Sequence, residues 1–353
     1  MIIAELQKRG IDARAEMPEA VSMLSFEYQG QSCLMMGCTP DFSSAVSIPI
    51  CRSKLMTEWI VRKETDVPMP ATLSHATWDE SVAFLNQYGN IVVKPQDGAH
   101  GRGVTVGVSD EDGLRTAIES AREYSQSDTV LLQELVIGKD VRVLVIDGDV
   151  VAAVYRIPPT ITGDGTRTIR ELIEAENLSN PDRGDSPYVK KLNKIDLQAA
   201  ERFLGAQIDT VLSSGEQVTV VGTANIGTGG EADECLAELP ESMKQHAVDA
   251  AGAARAFICG VDFMYDSTTG TYQLIELNAS PSFGLHMFPS KGQAIDVARI
   301  YVDALLKRLG NNPRPSQVSY ALKAERRPQS EPDNITIDED TNQEQDNEGE
   351  HTR

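Results

Sequence analysis

From Ile91 to Val108 the chain reads IVVKPQDGAHGRGVTVGV, a lysine at the end of a β-branched run, then a glycine-rich loop, then a second alternating run. Ile91, Val92 and Val93 favour a strand, and Pro95 blocks helix. Gly98, Gly101 and Gly103 let backbone N–H groups approach an anion without side-chain obstruction. Val104 to Val108 predict the returning strand. Such a unit folds as a hairpin that can cover a phosphate. It differs from the dinucleotide fingerprint and the Walker A loop, which both lead into a helix. A plain turn explains the glycines as well as long as they are considered alone.

A second segment, LIELNASPSF from Leu274 to Phe283, adds chemistry. Glu276 and Asn278 lie two apart on an expected strand and so project from one face. Asp262 is offered from the preceding strand CGVDFMYD. Two carboxylates and an amide oxygen are hard ligands suited to Mg²⁺ bridged to nucleotide phosphates. A solvated acidic hairpin is the simpler alternative, but the apolar neighbours Leu274, Ile275 and Leu277 argue that the polar pair points into something specific.

The charge of −21 limits the partners. Residues after Gly310 hold ten acids and five bases, leaving 43 acids against 27 bases in the body. Nucleic acid is therefore not expected, since phosphate backbones need a basic face. A nucleotide is compatible, because a few lysines, arginines and Mg²⁺ meet its charge locally. The opening MIIAELQKRGID reads as a short helix rather than a signal peptide, and no apolar run is long enough to span a bilayer. Cys33, Cys38, Cys51, Cys235 and Cys259 have no paired metal spacing, which suggests reduced thiols and a cytoplasmic setting.

The expected organisation has four parts. Residues 1–50 form a short N-terminal α/β segment with strands in VSMLSFEY and SCLMMG. Residues 51–137 form a small α/β lid with its linker, opening on a helix in which Leu55, Trp59 and Ile60 share a face. Residues 138–310 form a larger α/β lobe with strands VRVLVID, VVAAVYRI, QVTVV, FICGVDFM and YQLIEL, and helices near Thr168 to Glu176 and Pro240 to Ala256. Residues 311–353 are acidic, poor in apolar side chains and expected to be disordered.

Several segments between about Ser53 and Leu309 together resemble the ATP-grasp superfamily, in particular the ligase domains of cyanophycin synthetase and of bifunctional bacterial glutathione synthetases. They are SKLMTEWIVRKETDVPMPA, VVKPQDGAHGRGVTV, LLQELVIGKDVRVLVIDGDVVAAVYRIPP, GDGTRTIRELIEAEN, GTANIGTGGEAD, CGVDFMYD and LIELNASPSFGLHMFPSKGQ, in this order. The resemblance implies an α/β (α+β) ATP-grasp fold in which two lobes grip ATP. It implies that Lys94 and Lys54, with the glycine loop, contact the phosphates. Glu134 and Leu135 fall where the hinge passes the adenine, and Asp140 where an acid accepts the ribose hydroxyls. Asp262, Glu276 and Asn278 become the ligands of Mg²⁺, with two ions expected and Mn²⁺ as a substitute.

Arg142 and Arg156 stand in strands of Val, Ile and Ala, so each needs an anionic partner. A structural salt bridge would serve; an acyl phosphate or substrate carboxylate is preferred, because a guanidinium fork matches such oxyanions. Asn225, Gly229 and Gly230 in GTANIGTGG resemble a substrate-side loop whose small residues bring backbone donors to a developing oxyanion. Relatives commonly carry an arginine just before this motif where this chain has Val220 and Val221. Gly163, Asp164 and Gly165 resemble a substrate loop, though an Asp-Gly turn explains them nearly as well. His286 either lines the site or is packed, packing being preferred.

These expectations amount to an ATP-dependent carboxylate–amine ligase that forms an amide through an acyl phosphate and releases ADP and phosphate. Its substrates would be amino acids or short peptides, without nucleic acid or membrane partners, and a homo-oligomer is left open. A nucleotide-binding module without turnover and a kinase-like phosphotransferase are the alternatives.

Overall fold

The computed structural model describes residues 1–16, 23–97, 102–185 and 192–311. Gly98 and Gly101 of the glycine loop, and the acidic segment from residue 312 onward, lie outside them.

Helix α1 (Ile2–Lys8) is followed by an antiparallel sheet of β1 (Arg14–Glu16), β2 (Met23–Tyr28), β3 (Gln31–Met36) and β4 (Thr39–Pro40), paired in that order. Helices α2 (Ser47–Arg52) and α3 (Lys54–Glu64) come next. Thr57, Ile60 and Val61 of α3 are buried, a stripe of helical spacing. Trp59 was expected on the Ile60 face, yet it is 61% exposed, with Lys63 over its ring at 4.7 Å. Successive helical residues point about 100° apart, so Ile60 inward sends Trp59 outward.

A small lobe comes after α3: β5 (Thr72–Ser74), α4 (Trp78–Tyr88), β6 (Ile91–Pro95), β7 (Thr105–Val108), α5 (Glu111–Tyr124) and β8 (Val130–Glu134). Its sheet runs β5-β8-β6-β7, antiparallel throughout. Thr77 and Glu80 close α4 with a reciprocal capping box. Ile91, Val93 and Leu132 pack with Leu114, Ala117 and Ala121 of α5, which leaves Lys94 and Gln133 on the opposite sheet face.

The large sheet begins with β9 (Lys139–Ile146) and β10 (Asp149–Ile157). The chain then leaves it for β11 (Thr160–Thr162), α6 (Ile169–Ser179), β12 (Arg183–Gly184), β13 (Leu192–Asn193), α7 (Leu197–Leu204) and β14 (Gln217–Thr219). It returns with β15 (Glu231–Glu234), α8 (Glu241–Ala253), β16 (Ile258–Asp266) and β17 (Thr271–Asn278), and ends with α9 (Gly284–Met287) and α10 (Val297–Asn311). The sheet order is β15-β10-β9-β16-β17. QVTVV was expected in this sheet, but its β14 pairs only with β11. The inserted segment buries Ile161, Ile169, Ile173, Ile195, Ala200, Ile208, Val220 and Val221 in a core of its own. The fifth strand is instead the polar EADE of β15.

The two faces of the large sheet have different fates. One face, with Val141, Val143, Val145, Val261 and Phe263, is covered by α2, α3 and α8. On the other, Leu144, Ile146, Ala152 and Ile258 pack under the N-terminal sheet and α10, including the fully buried Tyr301. That cover stops at Leu144, and the remaining half of the face is polar.

Candidate active site

The polar half is fixed by register. Arg142 of β9 stands opposite Asp262 of β16, and Asp262 opposite Glu276 of β17. Asp140 of β9 stands opposite Arg156 of β10. Strict alternation in β17 would put Leu274 and Glu276 on one face. A bulge between the Glu276 and Leu274 pairs resets this, so Leu274 and Leu277 both enter the core while Glu276 and Asn278 face the other way.

Arg142 and Asp262 are 5% and 4% exposed and form a two-pronged ion pair, with Nη2 donating to Oδ2 at 2.8 Å. Arg156 bridges the two aspartates, donating to Asp140 Oδ1 from Nε at 2.8 Å and to Asp262 Oδ2 from Nη2 at 2.9 Å. Burial opposes the Asp262 anion, but Arg142 and Arg156 outweigh it and hold the carboxyl below its ordinary range. For Asp140 burial wins over Arg156, and its pKa moves up. Two cations and two anions cancel. The structural salt bridge, the other partner weighed for these arginines, is thus present in this structure. Asp140, expected at the ribose, is committed to Arg156, and Asp262, expected as a metal ligand, has both oxygens engaged.

Sequence reasoning missed Gly260, which makes room for this pair. A Cβ there would stand 2.9 Å from both Cδ and Nη1 of Arg142. Nothing local marks that glycine; its role depends on a strand more than a hundred residues earlier.

Lys94, on the small lobe and 5% exposed, is near enough to this floor for the Glu276 carboxylate to act on its charge. Its ammonium donates to Gln133 Oε1 at 2.7 Å, and Gln133 Nε2 donates to Thr72 Oγ1 at 3.0 Å. Gln133 was also missed, although a glutamine inside TVLLQEL is a visible anomaly. Burial pulls Lys94 down to about 8; Lys54 acts in the same direction, while Glu276 and Glu58 act against it. Lys54 opens α3, capped by Ser53, whose hydroxyl accepts from Gln96 Nε2 at 3.2 Å. Glu134 accepts from the Ala71 amide at 3.2 Å, and Leu135 N donates to Asn90 O at 3.4 Å. Gly103 has φ +68 and lies against Tyr124 and Ala121 of α5.

The Asn225 turn borders the same face. Ile226 packs with Val154, Ala232 and Leu285, Val154 being the residue opposite Arg142. Asn225 Oδ1 accepts from Gly227 N at 2.9 Å and Gly230 N donates to Asn225 O at 3.0 Å. Gly229 has φ +96 and lies so close to Ile195 that a Cβ would stand 2.6 Å from its Cα. The buried Arg183, also missed, donates to the Gly229 carbonyl at 3.1 Å and pairs with Glu176. Gly163 is buried against Ser213 and Leu212, and the turn that follows is closed by Asp164 on Thr166 and Arg167. His286 is 1% exposed, and burial together with Arg142 lowers it to about 3, so it is neutral at pH 7.

Nucleotide and Mg²⁺ suit part of this set. Lys94 is a buried cation whose hydrogen-bond partner is a neutral amide, and the Glu276 carboxylate enters no side-chain hydrogen bond or ion pair among the described residues. Among those residues no three His, Cys, Asp or Glu side chains gather to hold a metal by themselves. Mg²⁺ typically takes one or two carboxylates and completes its shell with phosphate and water, so Glu276 with Asn278 could hold it. Asp262 could join only by releasing an arginine.

Comparison with known proteins decides the family. Residues 54–191 match the profile of the prokaryotic glutathione synthetase ATP-grasp domain, and residues 214–305 that of the RimK-like ATP-grasp domain. The chain belongs to the ATP-grasp superfamily. Cyanophycin synthetase of a Synechocystis species is 32% identical over 277 residues, 74% of this chain and 31% of that protein. The bifunctional glutathione biosynthesis protein of Clostridium perfringens is 31% identical over 263 residues, 71% of this chain and 33% of that protein. The chain thus spans about a third of the length of these relatives. The crystal structure of a bifunctional glutathione synthetase from Pasteurella multocida shares the fold, with a TM-score of 0.61 at 24% identity over 87% of this chain and 44% of that one. Among the described residues no helix is long and apolar enough to cross a membrane.

This ATP-grasp site makes two outcomes measurable. Asp262→Asn leaves two guanidiniums short of a counter-charge and should cost about 3–5 kcal/mol in urea unfolding; a loss under about 1 kcal/mol would contradict the network. Lys94 titrates near 8 in the folded chain against an ordinary 10.5. The fold prefers it neutral, so its contribution to stability improves as pH rises between those values, while affinity for a phosphate anion moves the other way. Affinity for AMPPNP should fall above about pH 8, by at most tenfold per unit, and flatten in Lys94→Arg.

Proposed function

We propose that this protein is an ATP-dependent carboxylate–amine ligase acting on an amino acid or short peptide, with ADP and phosphate as products. The observation that carries this reading is the confrontation of buried Lys94 with Glu276 and Asn278 on a polar floor, within the family just described. Lys94, Lys54 and the backbone of the glycine loop would hold the phosphates; Gly98 and Gly101 belong to that loop by sequence. Glu134 and Leu135 would border the adenine. Glu276 and Asn278 would ligate Mg²⁺, with Asp262 as a third oxygen donor at the expense of an arginine contact. ATP would supply the phosphoryl group that activates the carboxylate as an acyl phosphate; an amine attacking that carbonyl would then expel phosphate and leave the amide.

The chain's own residues do positional and electrostatic work. Gln133 aims the Lys94 ammonium. Arg142 anchors Asp262 beneath the site. Arg156, whose side chain keeps 20% of its surface exposed, is the arginine open to an oxyanion. The Asn225–Gly230 turn, tied down by Arg183, offers backbone donors beside it. With no arginine at Val220 or Val221, which are buried in the inserted core, the carboxylate substrate must be recognised differently from that of relatives carrying one.

A panel of amino acids and dipeptides supplied with ATP and Mg²⁺ should reveal pairs that release ADP and phosphate, and hydroxylamine in place of the amine should trap a hydroxamate. AMP and pyrophosphate would overturn the mechanism. Glu276→Gln and Asn278→Ala should each lower this turnover by about a hundredfold, with partial recovery at high Mg²⁺.

A further inference from the structure

The N-terminal sheet precedes both family matches, which begin at residue 54, yet it touches the chain two residues beyond Asn278. The turn joining β3 to β4 holds Gly37 and Cys38. Thr39 Oγ1 donates to the Ala279 carbonyl at 3.3 Å. Cys38 Sγ lies 3.5 Å from Ser280 Oγ and 4.0 Å from the Pro281 carbonyl. Gly37, at φ +60, is so close that a Cβ would stand 3.1 Å from Ser280 Oγ. The turn is itself fixed from behind, because the buried Tyr301 hydroxyl of α10 donates to the Cys38 carbonyl at 2.7 Å.

One more bond connects this clamp to the site. Ser280 N donates to Asn278 Oδ1 at 2.9 Å, so the segment that the turn grips also sets the rotation of the Asn278 amide. An amide rotates nearly freely about its last torsion unless a partner restrains it. Asn278 ends β17, where the ladder with β16 stops at Gly260, so strand pairing does not restrain residues 279–281. We infer that the Gly37–Thr39 turn is a positioning element of the active site, with Thr39 holding the 279–281 backbone so that Asn278 presents its amide oxygen toward the bound metal. This rests on the reading of Asn278 as a ligand. Outer partners of metal ligands fix ligand orientation in the same manner, and their loss weakens metal affinity without removing a ligand.

The physical distinction from mere scaffolding is selective. A scaffold defect lowers the amount of folded protein; a misaimed ligand raises the Mg²⁺ requirement of the folded protein. The test is calorimetric titration of the full chain with AMPPNP at stepped Mg²⁺ concentrations, which needs no knowledge of the acceptor substrate. Thr39→Val removes the hydroxyl, Thr39→Ser keeps it, Gly37→Ala presses on Ser280 by a separate route, and Asn278→Ala reports on the ligand itself. The Mg²⁺ midpoint should rise roughly tenfold in Thr39→Val and in Gly37→Ala, stay at the wild-type value in Thr39→Ser, and rise at least as much in Asn278→Ala. If Asn278→Ala shifts the midpoint while Thr39→Val and Gly37→Ala do not, the turn is scaffolding and the inference fails with the ligand reading intact. If Asn278→Ala leaves the midpoint unchanged, the ligand reading fails and the inference falls with it. Equal shifts in Thr39→Ser and Thr39→Val would show that the hydroxyl does not position the segment.

Discussion

The active face depends on one buried electrostatic arrangement: Asp262 held between Arg142 and Arg156, with Asp140 completing the charge balance. Isolated, any of these groups would be too costly to bury in a sheet whose other face is closed by Val141, Val143 and Val261. Together they cancel, and the cost of dehydration is met by directed hydrogen bonds. The arrangement needs the observed register across β10, β9 and β16, since a one-residue slip of any of these strands would place its members on the apolar face. Gly260 is part of the same constraint, because the Arg142 side chain occupies the space its Cβ would fill.

That neutral floor leaves the unmatched charges at its edge. Glu276 and Lys94 belong to different lobes, Glu276 favouring the charged form of Lys94, and neither has an oppositely charged side chain within ion-pair distance among the described residues. A nucleotide phosphate with its metal ion matches this pair better than either side chain matches the other, since it offers an anion to the lysine and a cation to the carboxylate. The β17 bulge places Glu276 there, and the small-lobe chain from Thr72 through Gln133 places Lys94.

Much of this was legible in the sequence. IVVKP and LIELN announce strands that carry polar residues of one kind of chemistry, and both strands form as expected. So do the VRVLVID and VVAAVYRI strands, whose arginines demanded anions. What the sequence could not give was that residues 140 and 262 pair with those arginines, because pairing across strands depends on register that no local pattern encodes. Trp59 misled because hydrophobicity alone does not set helical phase. QVTVV was expected in the large sheet, yet the polar EADE completes it; an edge strand is chosen by its neighbour β10, not by its own propensity. Arg183 and Gly260 matter only through contacts with distant residues.

The central claim is that Glu276 and Asn278 turn a metal–nucleotide complex toward Lys94. Anomalous diffraction from crystals grown with AMPPNP and Mn²⁺ in place of Mg²⁺ tests it directly. The account predicts a manganese peak within about 2.4 Å of a Glu276 carboxylate oxygen and of the Asn278 amide oxygen, with the nucleotide phosphates between it and Lys94. A bound nucleotide whose manganese peak lies away from both residues would contradict it.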